Sequence, residues 1–203
     1  RFTEKNAPTV DDNIIVTSGS QQAVDLVSRV LIEPGDTILT EYPTYVGALQ
    51  IFQYHKAKIV WADMDEDGLI TEQVEEKIIK HKPKFIYVVS TFQNPTGITM
   101  TKSRRLELIE IAEKYGIPII DDDPYGELRF TGQHVPTMKE LGGDSVISMS
   151  TASKILAPGL RIGWVNARKQ LITILEKLKQ ADDLHAGTLN QYIFLDYIQR
   201  GLL

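Results

Sequence analysis

The 203-residue chain contains no cysteine. That excludes disulfides, thiolate catalysis and cysteine-based metal sites. It also suits a reducing cytoplasm, which is the expected location. Only four histidines occur, His55, His81, His134 and His185. Their spacing matches no zinc-ligand pattern, so no metal site is expected. No run approaches about 18 uninterrupted apolar residues, which argues against a membrane-spanning helix. Charge of one sign is lacking too: 22 basic residues face 27 acidic ones, for a net charge of −5. The cations are interleaved with acids, as in Glu107, Glu110, Glu113 and Lys114. A nucleic-acid surface would need a basic stripe instead. Neither a G-x-G-x-x-G loop nor a P-loop is present, so nucleotide binding has no direct support. Asp63-Met64-Asp65-Glu66-Asp67-Gly68 imitates the start of a calcium loop. Its twelfth position is Val74, where a bidentate glutamate is required, and calcium is not expected.

What is there is an ordinary globular composition, 42% hydrophobic and 24% charged. Strand and helix patterns alternate. Residues 13–17, 37–40, 58–61, 85–89, 117–120, 146–149 and 162–165 read as strands. Ala23, Leu26, Val27, Val30 and Leu31 share one helical face. Further helices are expected at 46–54, 71–81, 101–115, 168–180 and 187–200, with Thr101 as a cap and Gly116 as a stop. This alternation predicts an α/β fold, a three-layer α/β/α sandwich around a mostly parallel sheet. With no repeat or linker visible, residues 1–203 are expected to form one domain. The chain opens at Arg1 without an initiator methionine and stops at Leu203 straight after a helical pattern. It therefore reads as a piece of a longer protein.

Polar residues gather where strands end, and ligands of open α/β sheets bind beyond the carboxyl ends of strands. Ser18-Gly19-Ser20-Gln21-Gln22 stands between a strand and a helix, where backbone N–H groups and hydroxyls can meet an anion. A plain capped helix would explain it as well. Asn94-Pro95-Thr96-Gly97 is a strong turn signal whose asparagine could also face a ligand. Asp121-Asp122-Asp123-Pro124-Tyr125 ends an apolar strand. A nearby cation would justify three adjacent acids there, with a metal and a protonated heterocycle both candidates, and helix capping with solvent exposure would explain them as well. Ser150-Thr151-Ala152-Ser153-Lys154 and Pro158-Gly159-Leu160-Arg161 combine hydroxyls, a lysine and an arginine, which suits a phosphate. Between Thr151 and Ile162 the only charges are Lys154 and Arg161, which points to partial burial of the lysine.

Taken in order and spacing, these motifs resemble the fold-type I pyridoxal-phosphate aminotransferases of class I and II. The carriers are S-G-S-Q-Q, E-Y-P-T-Y, N-P-T-G, D-D-P-Y and S-x-x-S-K with an arginine seven residues after the lysine. Phe92 to Gly97, Leu156 to Arg161, Asp183-Leu184-His185 and Leu189-Asn190-Gln191 are similar to the 2-aminoadipate and kynurenine aminotransferase branch. The resemblance covers essentially the whole chain, and implies a cofactor-binding large domain without the N-terminal segment and small domain of that family.

The resemblance also implies roles. Lys154 would hold pyridoxal 5′-phosphate as a Schiff base and then shuttle a proton. Asp122 would pair with the ring nitrogen, chosen among the three acids because it stands three residues before Tyr125. Tyr125 and Asn94 would bond the cofactor's phenolate oxygen, and Asn94 would also touch the substrate carboxylate. Tyr45 would stack on the ring. Ser20, Gln21, Thr151, Ser153 and Arg161 would hold the phosphate, with Thr151 replacing the family's usual serine. The implied reaction is ping-pong transfer of an amino group from a 2-aminoadipate-like, aromatic or aliphatic L-amino acid to 2-oxoglutarate, in a homodimer whose partner subunit completes each site. The implied partners are thus an amino acid and a 2-oxo acid. The alternative is the aminotransferase-like effector domain of a GntR/MocR-type transcription regulator. Nucleic acid would then be bound by a winged helix preceding this chain.

Overall fold

The structure is a computed structural model, and it describes residues 13–203. The first twelve residues of the expected domain lie outside the described residues. The order of elements is β1 (Ile14–Thr17), α1 (Ser20–Leu31), β2 (Thr37–Tyr42), α2 (Val46–Tyr54), β3 (Lys58–Asp65), β4 (Gly68–Leu69), α3 (Thr71–His81), β5 (Ile86–Val88), α4 (Lys102–Tyr115), β6 (Ile119–Asp122), α5 (Met138–Gly142), β7 (Val146–Thr151), β8 (Gly163–Asn166), α6 (Lys169–Asp182) and α7 (Thr188–Gln199). Every expected strand and helix has its counterpart.

Local chemistry explains the boundaries. Thr101 caps α4 by accepting the Arg104 N–H, and Gly116 ends that helix at φ 65°. The five-residue helix α5 is too short to show a period. It is set by a capping box in which Thr137 and Glu140 bond each other's backbone. The calcium-like run is a hairpin between β3 and β4. Asp65 accepts the Asp67 N–H at 2.9 Å and pairs with Arg104 at 3.1 Å, so its carboxylate serves the turn.

The eight strands form one sheet in the order β1-β8-β7-β6-β5-β2-β3-β4. The central pairings β3-β2-β5-β6-β7 are parallel. β8 runs antiparallel to both β7 and β1. The connection between β7 and β8 contains only a 3-10 turn at Pro158–Leu160. It lacks the crossover helix that a parallel return requires.

Helices cover both faces. Alternation along each strand sends successive side chains to opposite layers. Tyr87, Val89 and Ile120 pack with α1, α2 and α6 through Leu26, Phe52 and Leu175. Ile86, Val88 and Ile119 pack with α3 and α4 through Ile78 and Leu108. A smaller cluster seats Phe194 of α7 against Trp164, ring over ring at 5.8 Å.

The layer of α1 and α2 is where the loops after β1, β2, β5, β6 and β7 converge. At its edge the backbone of Gly163 nearly touches that of Gly19. A methyl group on Gly163 would sit 2.6 Å from the Gly19 carbonyl carbon and 2.7 Å from the Ser20 nitrogen. Gly163→Ala should therefore displace the Ser18–Ser20 loop and lower stability by roughly 1–3 kcal/mol, the usual range for overpacking. Urea unfolding of the two chains checks this, and an unchanged midpoint would contradict the contact.

Candidate active site

All ten residues singled out from the sequence line one cavity of about 340 Å³: Ser20, Gln21, Tyr45, Asn94, Asp122, Tyr125, Thr151, Ser153, Lys154 and Arg161. Val89, Pro124 and Pro158 complete its wall.

One end of the cavity suits an anion. Ser20 and Gln21 open helix α1, whose first N–H groups have no intrahelical acceptor. Arg161 reaches across from the turn before β8. Its guanidinium donates to the Ser18 carbonyl at 3.3 Å and to the Pro158 carbonyl at 3.2 Å. Gly19 stands at φ 83°, which L side chains rarely adopt, and a side chain there would also displace this guanidinium. The Thr151 hydroxyl accepts the Ser153 N–H at 3.2 Å and lies 2.9 Å from the Ile162 carbonyl, which it reaches as donor. Hydroxyls, an arginine and a helix N-terminus on one wall are the donor set a phosphate takes.

The other end suits a cation. The period of two along β6 separates the three acids. Asp122 turns to the cavity, with Tyr87 donating to its Oδ2 at 2.8 Å. Its Oδ1 is buried and, among the described residues, has no hydrogen-bond partner. Burial pushes Asp122 up to about 7, against the pull of the Tyr87 hydroxyl and with the push of Asp121. Asp121 and Asp123 face the opposite layer, where Arg105 supplies positive charge to both. Arg105 is fully buried and donates to the carbonyls of Met100, Pro136 and Ser90 and to the Thr91 hydroxyl. For two of the three acids at this strand end the neighbouring cation is this arginine.

Between the ends, Asn94 Nδ2 lies 3.4 Å from the Tyr125 hydroxyl. Tyr45 extends its hydroxyl to Gln21 at 3.3 Å, while Gln21 donates to the Gly47 carbonyl at 3.0 Å. Burial raises the Tyr45 phenol, with Asp122 adding to the effect. Lys154 is exposed, which corrects the expectation of partial burial. Its turn sits at the open rim of the cavity, so an uncharged neighbourhood in the sequence did not mean a dry one.

The family model for aminotransferase class I and II matches residues 2–182. The chain belongs to that family. An aromatic-amino-acid aminotransferase of Thermococcus litoralis is 45% identical over 197 residues, covering 94% of this chain and 47% of that protein. The solved α-aminoadipate aminotransferase LysN of Thermus thermophilus, complexed with N-(5′-phosphopyridoxyl)-L-leucine, superposes with a TM-score of 0.91 at 33% identity, covering 94% of this chain and 50% of that one. An uncharacterized HTH-type transcriptional regulator of Bacillus subtilis is 31% identical over 93% of this chain and 39% of its own length. This aminotransferase-family chain spans about half the length of the curated relatives it matches.

The structure gives tasks to motif residues that had none in the sequence reading. Glu41 and Gln93 tie the loop carrying Tyr45 to the loop carrying Asn94. Gln93 donates to Glu41 Oε1 at 3.0 Å and to the Pro43 carbonyl at 2.7 Å, and its own oxygen accepts the Thr96 N–H. Asp183, left without a role in the sequence, holds the anion loop: it accepts from Ser18, Gln22 and the Lys179 ammonium. Asn190 holds the Leu160 carbonyl beside Arg161.

Glu41 carries a testable signature. It is fully buried, and burial pushes its carboxyl up to about 8 despite hydrogen bonds from Gln93 and Val89. A carboxyl raised in the folded state is protonated there while the unfolded chain has already released the proton. Its contribution is therefore complete below the unfolded value near 4 and is lost as pH rises toward about 8. Glu41→Gln should reduce the fall of stability between pH 5 and 8 by up to ~1.4 kcal/mol per pH unit. Denaturant titrations across that range measure the slope, and equal slopes in both chains would refute protonation of Glu41.

Proposed function

We propose that this chain is the pyridoxal-phosphate-binding large domain of an aminotransferase. It would act on an L-amino acid of the aromatic or 2-aminoadipate-like class, with a 2-oxo acid such as 2-oxoglutarate as acceptor and ping-pong turnover. The observation that carries this is the polarity of the cavity: a hydroxyl- and arginine-lined end, and an opposite end where the buried Asp122 Oδ1 has no partner. A phosphorylated cationic heterocycle satisfies both ends at once. The Thermus relative, at 33% identity, holds a phosphopyridoxyl group.

Each residue then has a physical task. Ser20, Gln21, Thr151, Ser153 and Arg161 would hold the phosphate. Asp122 would face the ring nitrogen. Asn94 and Tyr125 would bond the phenolate oxygen, Asn94 would also meet the substrate carboxylate, and Tyr45 would pack against the ring. Bound pyridoxal phosphate would supply an electron sink for the pair released at the substrate Cα. Lys154 would be the covalent anchor, and its Nζ would serve as the base for the Cα proton. Its exposure at the cavity rim lets the amine reach an incoming substrate.

Lys154→Ala should abolish covalent capture of pyridoxal phosphate. Borohydride treatment followed by mass spectrometry should find the label on Lys154 in the parent chain and nowhere in the variant; a label elsewhere would refute the assignment. In the full-length gene product, Asp122→Asn should retain cofactor and lose at least ~100-fold in transamination, the lower range for a lost acid–base contribution. Unchanged turnover would remove Asp122 from the mechanism.

A second reading is favoured by the regulator match over 93% of this chain. The same cavity would then serve cofactor-dependent sensing in a DNA-binding protein. The coding sequence preceding Arg1 separates the two, since a basic winged helix there would select the regulator.

A further inference from the structure

The buried tyrosine of β5 is unused by the roles above. Tyr87 pairs in register with Ile120, so Asp122 lies two residues further along the neighbouring strand and on the same face. Such diagonal neighbours are bridged only by long side chains. The ring of Tyr87 stands edge-on to Phe52 at 5.3 Å, which fixes its direction. Its hydroxyl ends 2.8 Å from Asp122 Oδ2. Both residues are essentially inaccessible, at 0% and 3% exposure, so water does not compete for the contact.

We propose that Tyr87 is the positioning residue of the cofactor's ring-nitrogen partner. Its hydroxyl occupies Asp122 Oδ2, and thereby fixes the carboxylate plane and presents Oδ1 to the ring N–H. This rests on the function proposed above. The alternative is that a buried phenol merely found an acceptor. The surroundings argue against so passive a role. Asp122 has Asp121 as its sequence neighbour, and burial resists its charge. Glu41 and Tyr45 also face Tyr87 and bring no positive charge. Among the described residues the Tyr87 hydroxyl is the one hydrogen bond that favours the charged form of Asp122. Burial already raises this carboxyl with the bond in place, and without it the protonated form would gain further and the hold on a ring cation would weaken.

The test uses this chain loaded with pyridoxal phosphate labelled with 15N in the ring. Tyr87→Phe keeps the ring and its Phe52 contact while deleting the hydroxyl. At pH 7.5 the 15N resonance should sit at the protonated position in the parent chain and move toward the unprotonated position in the variant. In the cofactor-free chain, the 13C-carboxyl titration of Asp122 should shift upward by roughly one to two pH units, the size of one lost charged hydrogen bond. In an Asp122→Asn background the same substitution should move the nitrogen resonance no further. Identical nitrogen and carboxyl titrations in parent and variant would overturn the Tyr87 assignment while leaving the functional reading standing. Failure of the parent chain to take up cofactor would overturn that reading and this inference with it. Should Tyr87→Phe not fold, Asp122→Asn alone decides: the 13Cζ resonance of Tyr87 should lose its carboxylate-bonded shift, and an unmoved resonance would overturn the proposal.

Discussion

A strand that ends in three consecutive carboxyl groups has to keep them apart. Along β6 the pleat does so, because neighbouring side chains point to opposite faces. Asp121 and Asp123 go to the layer of α4, where the attraction of buried Arg105 offsets part of the cost of burying them. Asp122 goes to the layer of α1 and α2, where no cation of the described chain meets its free oxygen. The same parity that builds a core on each face thus leaves one face with an unbalanced acid at the bottom of a cavity. An arginine on both sides would give a quieter protein without a demand for a ligand. Glu41 Oε2 and Asp121 Oδ2 are also buried without a partner among the described residues, but of these acids it is Asp122 that lines the cavity.

The rest of the site is arranged around that atom by bonds that bridge loops. Glu41 and Gln93 fasten the segments after β2 and β5 to each other. Asp183, with Lys179 and Gln22, fastens the segment after β1 from the far end of α6. Arg161 closes the gap between that segment and the turn after β7. None of these braces lies within one loop, so the cavity holds its shape through the sheet rather than through local turns. The braces use side chains from both early and late parts of the chain.

Much of this was legible in the sequence. Period and punctuation located the elements, because apolar faces at helical spacing and buried strands of Ile and Val carry strong signals. The ten residues that line the cavity were singled out by the family resemblance, and the loops after β1, β5, β6 and β7 also stood out by their own chemistry. What stayed hidden depends on pairing between distant strands. Tyr87 reads as one more apolar residue in Phe85 to Val89, and only the register with β6 brings its hydroxyl to Asp122. Arg105 stands in the expected helix 101–115 with nothing in that span to mark it as buried beside two acids. Glu41 follows the expected strand 37–40, and its tie to Gln93 depends on β2 lying beside β5. The short helix α5 was missed although Thr137-Met138-Lys139-Glu140 spells a capping box, since one turn carries no period. The direction of β8 was open because strand signals carry no polarity.

The pairing of β1 with β8 has a consequence for the growing chain. β1 is the first strand of the sheet, and its one neighbour among the described strands is the last. During synthesis the parallel centre from β2 to β7 can assemble while β1 still waits for its partner. The acidic floor of the cavity, on β6, needs only strands that precede β8 in the chain. The anion loop after β1 packs against Gly163 of β8, so its close contact requires most of the described chain. The two poles of one cavity thus rest on contacts of very different span along the chain, and long-span contacts carry the larger loop-closure cost.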